Sequence, residues 1–350
     1  MNALEPAAMT AALEALLDKL DDGAVRDLAW LLFSPPLLHE QPPVGQRASP
    51  FETADEAAAA ESWLLALDRD AEPLRQAMAA ARLTRLGRYA ECLLAYFLEH
   101  GPAPRLIAAN VALRRAGRTL GECDFLVESA SGRRLHWELA VKCYLHAGGG
   151  PRASLADFVG PNLQDRFDLK LARLLGHQLP LSARDEFASL GHAGPWEAQM
   201  FVKGWLFYRW DEATQDGAPL PVPDDVDPRH AHGFWVTRAQ WTRFAAQWTR
   251  HLTTQYGSGD TWAVLPRLAW LAPRRPLVGA GGAEAAGLTT ALSLAERLAQ
   301  HSGPTMIAAL APDGRDGRAP HWRECARGFV VPDDWPERAR AFAGSPYHQR

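Results

Sequence analysis

Hydrophobic and polar residues alternate in two neighbouring segments near the centre of the chain. The segments ECDFLVE (residues 122–128) and RLHWELAVKC (residues 134–143) have the period of strands, and SASG between them provides a turn with glycine at its end. We predict an antiparallel hairpin in which the numbers of facing residues sum to 262. One face is then apolar and belongs to the core, and it comprises Cys123, Phe125, Val127, Leu135, Trp137, Leu139, Val141 and Cys143.

The patterns around the hairpin predict its neighbours. Residues 83–100 have apolar positions at helical spacing and end at GPAP, and the run LIAANVAL that follows is typical of a strand. A second helix is predicted from Asn162, as its N-cap, to residue 178, and a further strand over residues 199–210. The order helix, three strands, helix, strand predicts an α/β fold with a mixed central sheet flanked by helices.

Composition changes along the chain suggest three regions. Residues 1–80 are predicted to be a helical N-terminal region, residues 81–215 the core, and residues 216–350 an α/β C-terminal extension. Ten of the thirteen tryptophans lie from Trp196 onward, so the extension is rich in tryptophan. Its glycine run at residues 279–282 departs from a dinucleotide-binding loop because Glu284 stands where the third glycine is needed, and we interpret it as a loop before a helix.

Charge and cysteine content indicate which class of substrate and which cellular compartment to expect. The 350 residues carry a net charge of −4, but residues 81–178 contain 14 Lys and Arg against 9 Asp and Glu. This local excess is compatible with an anionic substrate, although solvated helix faces give the same excess. The four cysteines occur singly, and the chain shows no signal peptide and no membrane-spanning run. We therefore expect a cytoplasmic protein with reduced thiols.

The polar face of the hairpin carries the candidate chemistry. The predicted register places Asp124 directly opposite Glu138, and two facing carboxylates repel each other unless a cation lies between them. A divalent ion such as Mg²⁺ or Mn²⁺ fits this need, and Lys142 on the same face is positioned to orient water or stabilise a phosphate. Glu91, at the edge of the apolar stripe on the preceding helix, is a candidate third acid if it points toward the sheet, and a solvated position is the alternative. The alternative is an exposed hairpin face with ordinary screened acids.

The helix after the hairpin is predicted to carry a polar stripe. Its residues are spaced by 4, 3 and 4 positions and would line one face, where they suit contacts to phosphates: Arg166, Lys170, Arg173 and His177. Gln178 at the end of this helix is a candidate for a contact to a backbone or a base. A solvated face paired with Asp165 and Asp168 explains the same spacing equally well.

These segments together resemble a family of bacterial proteins grouped with the PD-(D/E)XK nuclease-like superfamily. The likeness rests on GECDFLVESASGRRLHWELAVKCY, with LGRYAE before it and GPNLQDRFDLKLARLLGHQLPLS after it, and extends to DLAWLLFSPPLL and RGFVVPDDWP near the two ends. The resemblance implies a restriction-endonuclease-like core and Mg²⁺-dependent cleavage of nucleic acid. It assigns the two hairpin acids to Asp124 and Glu138, and Glu91 matches a helix glutamate that completes the metal shell.

The sequence departs from the superfamily signature at its lysine. The signature has lysine two residues after the acid, where this chain has Ala140, and Lys142 comes four residues after Glu138. The leading hypothesis is therefore a metal-dependent nuclease that uses Asp124, Glu138 and Lys142. The alternatives are a degenerate module that binds nucleic acid or protein without cleavage, and a carboxylate-pair hydrolase of sugars whose activity survives a chelator.

Overall fold

A computed structural model describes residues 11–149, 152–192, 194–210, 220–257, 259–276, 287–313 and 321–346. The glycine run at residues 279–282 lies outside the described residues. The helices of the described residues are α1 (Ala11–Leu17), α2 (Gly23–Phe33), α3 (Ala54–Arg69), α4 (Glu72–Ala80), α5 (Leu86–His100), α6 (Phe167–Arg173), α7 (Asp185–Ala188), α8 (Arg238–Tyr256), α9 (Ala291–Ala299) and α10 (Trp335–Ala343). The strands are β1 (Gln46–Arg47), β2 (Arg105–Arg115), β3 (Arg118–Glu128), β4 (Arg134–His146), β5 (Phe158–Val159), β6 (Glu197–Arg209), β7 (Ala231–Thr237), β8 (Trp262–Val264), β9 (Leu288–Thr289), β10 (Thr305–Asp313) and β11 (His321–Val331).

All eleven of these strands belong to one mixed sheet, which confirms the predicted α/β class. Its main path has the order β2-β3-β4-β6-β7-β11-β10-β8-β9, with β1 added beside β6 and β5 beside β4. The pairs β4 with β6, β6 with β7 and β7 with β11 are parallel, and the pairs at both ends of the path are antiparallel. The sheet therefore continues from the predicted core into the C-terminal extension.

Helices cover both faces of the sheet. On one face, α1, α2, α5 and α10 enclose the largest apolar core, which includes Phe125, Trp137 and Trp235 from the strands. On the opposite face, α6 covers the centre of the sheet, whereas α8 and α9 cover its C-terminal half. The two-sided cover explains why strand β6, which lies in the middle, is buried along most of its length.

The central hairpin has the predicted register. Phe125 pairs with Trp137 and Val127 with Leu135, as numbers that sum to 262 require. Gly132 in the turn has a φ of +82°, a conformation that glycine adopts without steric cost. The turn chemistry read from SASG is therefore confirmed.

The predicted membership of the apolar hairpin face is wrong at Cys123. Cys123 packs with Leu126 on the other face of the hairpin, away from Phe125. The two residues are three positions apart, so strict alternation would place them on different faces. The β2–β3 register is the same on both sides of this point, with Ala109 opposite Phe125 and Val111 opposite Cys123. The pair between them is missing from the ladder, and Asn110 of β2 has a φ of +54° there.

The predicted helix start at Asn162 is also wrong. The helix begins at Phe167, with Arg166 as its N-cap, because residues 158–165 form strand β5 and a turn in which the backbone N–H of Gly160 donates to the carbonyl of Asp165. Residues 174–178 continue α6 as a single π-helical turn and residues 179–183 as a 3₁₀ turn. A π turn changes the angular spacing of side chains, so a stripe drawn at α-helical spacing does not extend through it.

Candidate metal centre

The candidate site lies where strands β3 and β4 separate. Their ladder runs from the pair Glu128 and Arg134 to the pair Phe125 and Trp137 and then ends. Beyond that point β4 continues beside β6 as far as Leu145, so residues 138–144 of β4 have no β3 partner on their other edge. The separation opens space between the strands, and Asp124 and Glu138 lie at its start.

The side chains of Asp124 and Glu138 each contact the main chain of the other strand. The Asp124 carboxylate accepts a hydrogen bond from the backbone N–H of Leu139 at 2.9 Å. The backbone N–H of Asp124 donates to Oε1 of Glu138 at 3.4 Å. Each acid is therefore held by the main chain of the opposite strand, one position beyond the last pair of the ladder.

Burial and neighbouring charge strongly perturb Asp124. Removal from solvent, followed by the negative charges of Glu138 and Glu91, raises the pKa of Asp124 to about 8, and Lys170 opposes this shift. An aspartate with this pKa is largely protonated at neutral pH when no cation is near. The site thus holds more carboxylate than its own basic residues neutralise, which is the condition that favours a bound cation.

Glu91 on helix α5 is coupled to the two hairpin acids through its charge. It is half-buried, and its ion-pair partner Arg88 also donates to the Asn110 side chain at 3.0 Å. Burial raises the pKa of Glu91, Arg88 opposes this change, and the charges of Glu122 and Glu138 raise the pKa further. Helix α5 packs on β2 and β4, so the predicted third acid is electrostatically coupled to the other two.

Glu138 is the centre of a buried hydrogen-bond network. Its side chain is fully enclosed, with Oε1 at 2.8 Å from Nε2 of His136 and Oε2 accepting from the Gln178 side chain at 2.6 Å. Gln178 in turn accepts from Lys170 at 2.8 Å, and Nδ1 of His136 lies 3.0 Å from the Ser182 hydroxyl. The network fixes the orientation of a carboxylate that would otherwise be costly to bury.

The two lysines near the site have different surroundings. Lys142 forms an ion pair with Asp165, which also accepts a hydrogen bond from Tyr144 at 3.1 Å. Lys170 interacts with the acids through its charge. Burial and the charge of Lys142 lower its pKa, whereas the charges of Asp124 and Glu138 oppose this change. Both amines therefore border the site, and Lys170 is the one coupled to the carboxylates.

A cavity of about 280 Å³ adjoins the open edge of β4. Its walls come from the start of α5, from β4, from the turn before α6 and from the segment after β8. Its lining is mixed, with apolar residues beside the charged and polar residues Arg85, Lys142, Asn162, Gln164, Asp165 and Arg267. Such a lining suits a phosphate or another anion.

The predicted polar stripe is only partly assembled. Arg166 is buried, and it binds Asp168 and the backbone carbonyls of Phe342, Ala343 and Ser345 at the end of α10. Lys170 and Gln178 join the Glu138 network. Arg173 is exposed, and His177 is half-buried on the π turn. The structure thus links Gln178 to Glu138 by a hydrogen bond and Lys170 to Gln178, couples Asp124, Glu138, Glu91 and Lys170 through their charges, and places Arg166 in a separate contact.

Three residues of the site were not singled out from the sequence. His136 and Ser182 belong to the Glu138 network, and Cys123 lies beside it on the same face. The spacing of His136 and Glu138, two apart on one strand, was a visible signal that they share a face. Strict alternation places Cys123 with Phe125 on the apolar face, so the pattern gives no signal that it lies beside Glu138.

Comparison with known proteins gives one match. The family model described as Domain of unknown function (DUF1853) matches residues 26–331. No curated protein and no solved structure matches the chain. Among the described residues, no helix combines the length and the apolar character that crossing a membrane requires.

Proposed function

This chain belongs to the DUF1853 family, and from the geometry of its acidic site we propose that it is a metal-dependent phosphodiester hydrolase acting on nucleic acid. The observation that carries the proposal is the coupling of Asp124, Glu138 and Glu91 at the opening between β3 and β4. Burial, followed by the charges of Glu138 and Glu91, raises the pKa of Asp124 to about 8, and a bound cation would offset both effects. Three oxygen donors with a deficit of positive charge suit Mg²⁺ or Mn²⁺.

The order of elements supports the same proposal. Helix α5, strands β2, β3 and β4, helix α6 and strand β6 follow one another along the chain, and the four strands are adjacent in the sheet in that order. This is the order expected of a restriction-endonuclease-like core, in which the acids lie where the second and third strands diverge. We propose that residues 81–215 form such a core, with residues 1–80 and 216–350 built around it.

The residues of the site have separable roles in this proposal. Asp124, Glu138 and Glu91 bind the ion, which when present lowers the pKa of a bound water and offsets negative charge on the phosphate. Gln178 and His136 hold Glu138 in one orientation, and the Leu139 N–H holds Asp124. Lys170 and Lys142 supply positive charge near the reacting phosphate.

We propose that the substrate binds along the cavity beside β4. Arg85, Arg267 and Lys142 line it, and residues of this type bind the phosphates of a strand without reading its sequence. We propose that exposed Arg173 and half-buried His177 extend this surface. The four free cysteines of the described structure agree with a reducing compartment, and we propose the bacterial cytoplasm as the location.

One observation favours a second candidate, a module that binds nucleic acid without cleaving it. Glu138 is fully enclosed and both of its oxygens already have hydrogen-bond partners. If these bonds replace metal ligation, the network is a polar core element, and the basic cavity alone contacts nucleic acid. This candidate predicts binding that is unaffected by a chelator.

A cleavage assay separates the two candidates. Labelled single-stranded and double-stranded DNA and RNA are incubated with the wild type in Mg²⁺, in Mn²⁺ and in EDTA, beside Asp124→Asn and the exposed control Glu122→Gln. A nuclease cleaves at least one substrate, loses activity in EDTA and in Asp124→Asn, and keeps it in Glu122→Gln. Binding without cleavage in either metal contradicts the proposal.

A further inference from the structure

A second set of donors lies beside Glu138, and it differs in chemistry from the three acids. Cys123, His136 and Glu138 each offer one ligand atom, and these atoms all lie within 4.8 Å of one another. All three side chains are fully buried. Among the described residues this is the one group of three or more such side chains whose ligand atoms converge in this way.

Cys123 lies on the face of the two polar residues, although strict alternation places it with Phe125 in the core on the other face. The position between Phe125 and Cys123 is also the one at which the β2–β3 ladder skips a pair, and Asn110 on β2 has a φ of +54° there. The departure from alternation is what brings the thiol beside His136 and Glu138.

We propose that Cys123, His136 and Glu138 form a Zn²⁺ site. A thiolate, an imidazole and a carboxylate are the ligand types that Zn²⁺ accepts in proteins, whereas Mg²⁺ takes oxygen ligands and has no use for a thiol. The site shares Glu138 with the proposed nuclease centre but does not rest on that function.

The geometry fits a tetrahedral ion with modest closure. Zinc–ligand bonds of about 2.0–2.3 Å set donor atoms roughly 3.3–3.6 Å apart, so the three groups must draw together by about 1.5 Å at most. Oε1 of Glu138 and Nε2 of His136 are already 2.8 Å apart, which is closer than an ion between them requires. A fourth ligand completes the tetrahedron.

The surroundings of His136 already match those of a metal ligand. A ligating histidine usually has a partner on its second ring nitrogen, which fixes the tautomer and the ring orientation. Nδ1 of His136 lies 3.0 Å from the Ser182 hydroxyl. With Nδ1–H donating to Ser182, Nε2 offers its lone pair to the ion in place of the hydrogen bond to Glu138.

Binding has a defined proton balance. The imidazole stays neutral, and the ion replaces the thiol proton of Cys123, which passes to solvent. Affinity therefore rises with pH, because the competing proton becomes scarcer. Buried thiols without a cation stay protonated, so the same cysteine is unreactive when the ion is absent.

Cobalt spectroscopy tests the site without any enzymatic assay. The full chain, stripped with chelator, is titrated with Co²⁺, which takes the place of Zn²⁺ and shows a near-ultraviolet sulfur-to-cobalt charge-transfer band when a thiolate is bound. We expect the band at one Co²⁺ per chain, its loss on addition of Zn²⁺, and its absence in Cys123→Ser. Cys325→Ser, which alters a half-buried cysteine on another strand, keeps the band.

Two outcomes overturn the site. One is a wild type without the band, a result that does not depend on whether any variant folds. The other is a band that persists in Cys123→Ser. Cleavage in Mg²⁺ by a wild type that lacks the band leaves the nuclease proposal standing and removes the zinc site. A band in a protein that cleaves no substrate supports the zinc site and contradicts the nuclease proposal. Asp124→Asn leaves the three zinc donors intact, so it keeps the band whether or not the wild type cleaves nucleic acid.

Discussion

Replacing Asp124 by asparagine is predicted to stabilise the metal-free protein at high pH. In the native state burial and the charges of Glu138 and Glu91 raise the pKa of Asp124 from 3.8 to about 8. When folding raises the pKa of a carboxyl, its contribution to the free energy of unfolding is fully present below the pKa of the unfolded state. This contribution is lost as the pH rises through the pKa of the folded state. Asparagine has nearly the same shape, carries no charge, and can still accept the hydrogen bond of Leu139.

The size of the effect follows from the shift. Between pH 4 and pH 8, each pH unit lowers the free energy of unfolding of the wild type by up to about 1.4 kcal/mol relative to the variant. The difference is constant above pH 8. Because Asp124 titrates together with its acidic neighbours, we expect a total of roughly 3–5 kcal/mol at pH 9 and less than about 1 kcal/mol at pH 4.

Urea unfolding in EDTA at pH 4, 6, 8 and 9, followed by tryptophan fluorescence and circular dichroism, measures this difference. Glu122→Gln, an exposed acid on the same strand, is the control and should track the wild type at every pH. Added Mg²⁺ should stabilise the wild type and leave Asp124→Asn unchanged, because ligand binding adds stability only to the state that binds. A difference that does not vary with pH, or a wild type that is the more stable protein at pH 9, refutes the reasoning.

Two further substitutions test the lysines and the sheet. Lys170→Ala is expected to lower the cleavage rate about 100-fold and Lys142→Ala less than about 10-fold, since Lys170 is the amine coupled to Asp124 and Glu138. Single-turnover rates measure both effects. A larger loss in Lys142→Ala than in Lys170→Ala assigns the role to Lys142. Gly204→Ala is expected to cost more than about 3 kcal/mol in urea unfolding, because a Cβ there lies 1.8 Å from the Lys142 carbonyl oxygen, whereas Gly176→Ala meets nothing within 4 Å and should be neutral. A stable Gly204→Ala protein contradicts the close packing of β6 on β4.

Local patterns were sufficient to predict the central hairpin. Alternation and the SASG turn predicted the register of the observed pairs, from Phe125 with Trp137 to Glu128 with Arg134. Alternation is a period-two rule, however, and it fails wherever one residue leaves the extended conformation. Cys123 lies on the face opposite to Phe125, two positions away, and the residues of β3 themselves give no signal of this departure.

The parts of the site that depend on distant segments could not be predicted in this way. Asp165 reaches Lys142 from the turn that precedes α6, and this turn replaces the first residues of the predicted helix. Gln178 reaches Glu138 because a π turn, which has no sequence signature, rotates it there. Arg166 is buried against the end of α10, a contact across 176 to 179 positions. Each of these depends on tertiary packing.

The most direct test of the acidic site is a calorimetric titration of the chelator-stripped protein with Mg²⁺ and Mn²⁺ near pH 7.5. The wild type, Asp124→Asn and Glu138→Gln are compared with Glu122→Gln, and circular dichroism confirms that each is folded. We predict saturable binding in the wild type and in Glu122→Gln, with release of protons because Asp124 must ionise to bind, and no binding in the other two. The absence of binding in the wild type, or equal binding in all four proteins, contradicts the assignment of Asp124, Glu138 and Glu91 as a metal centre.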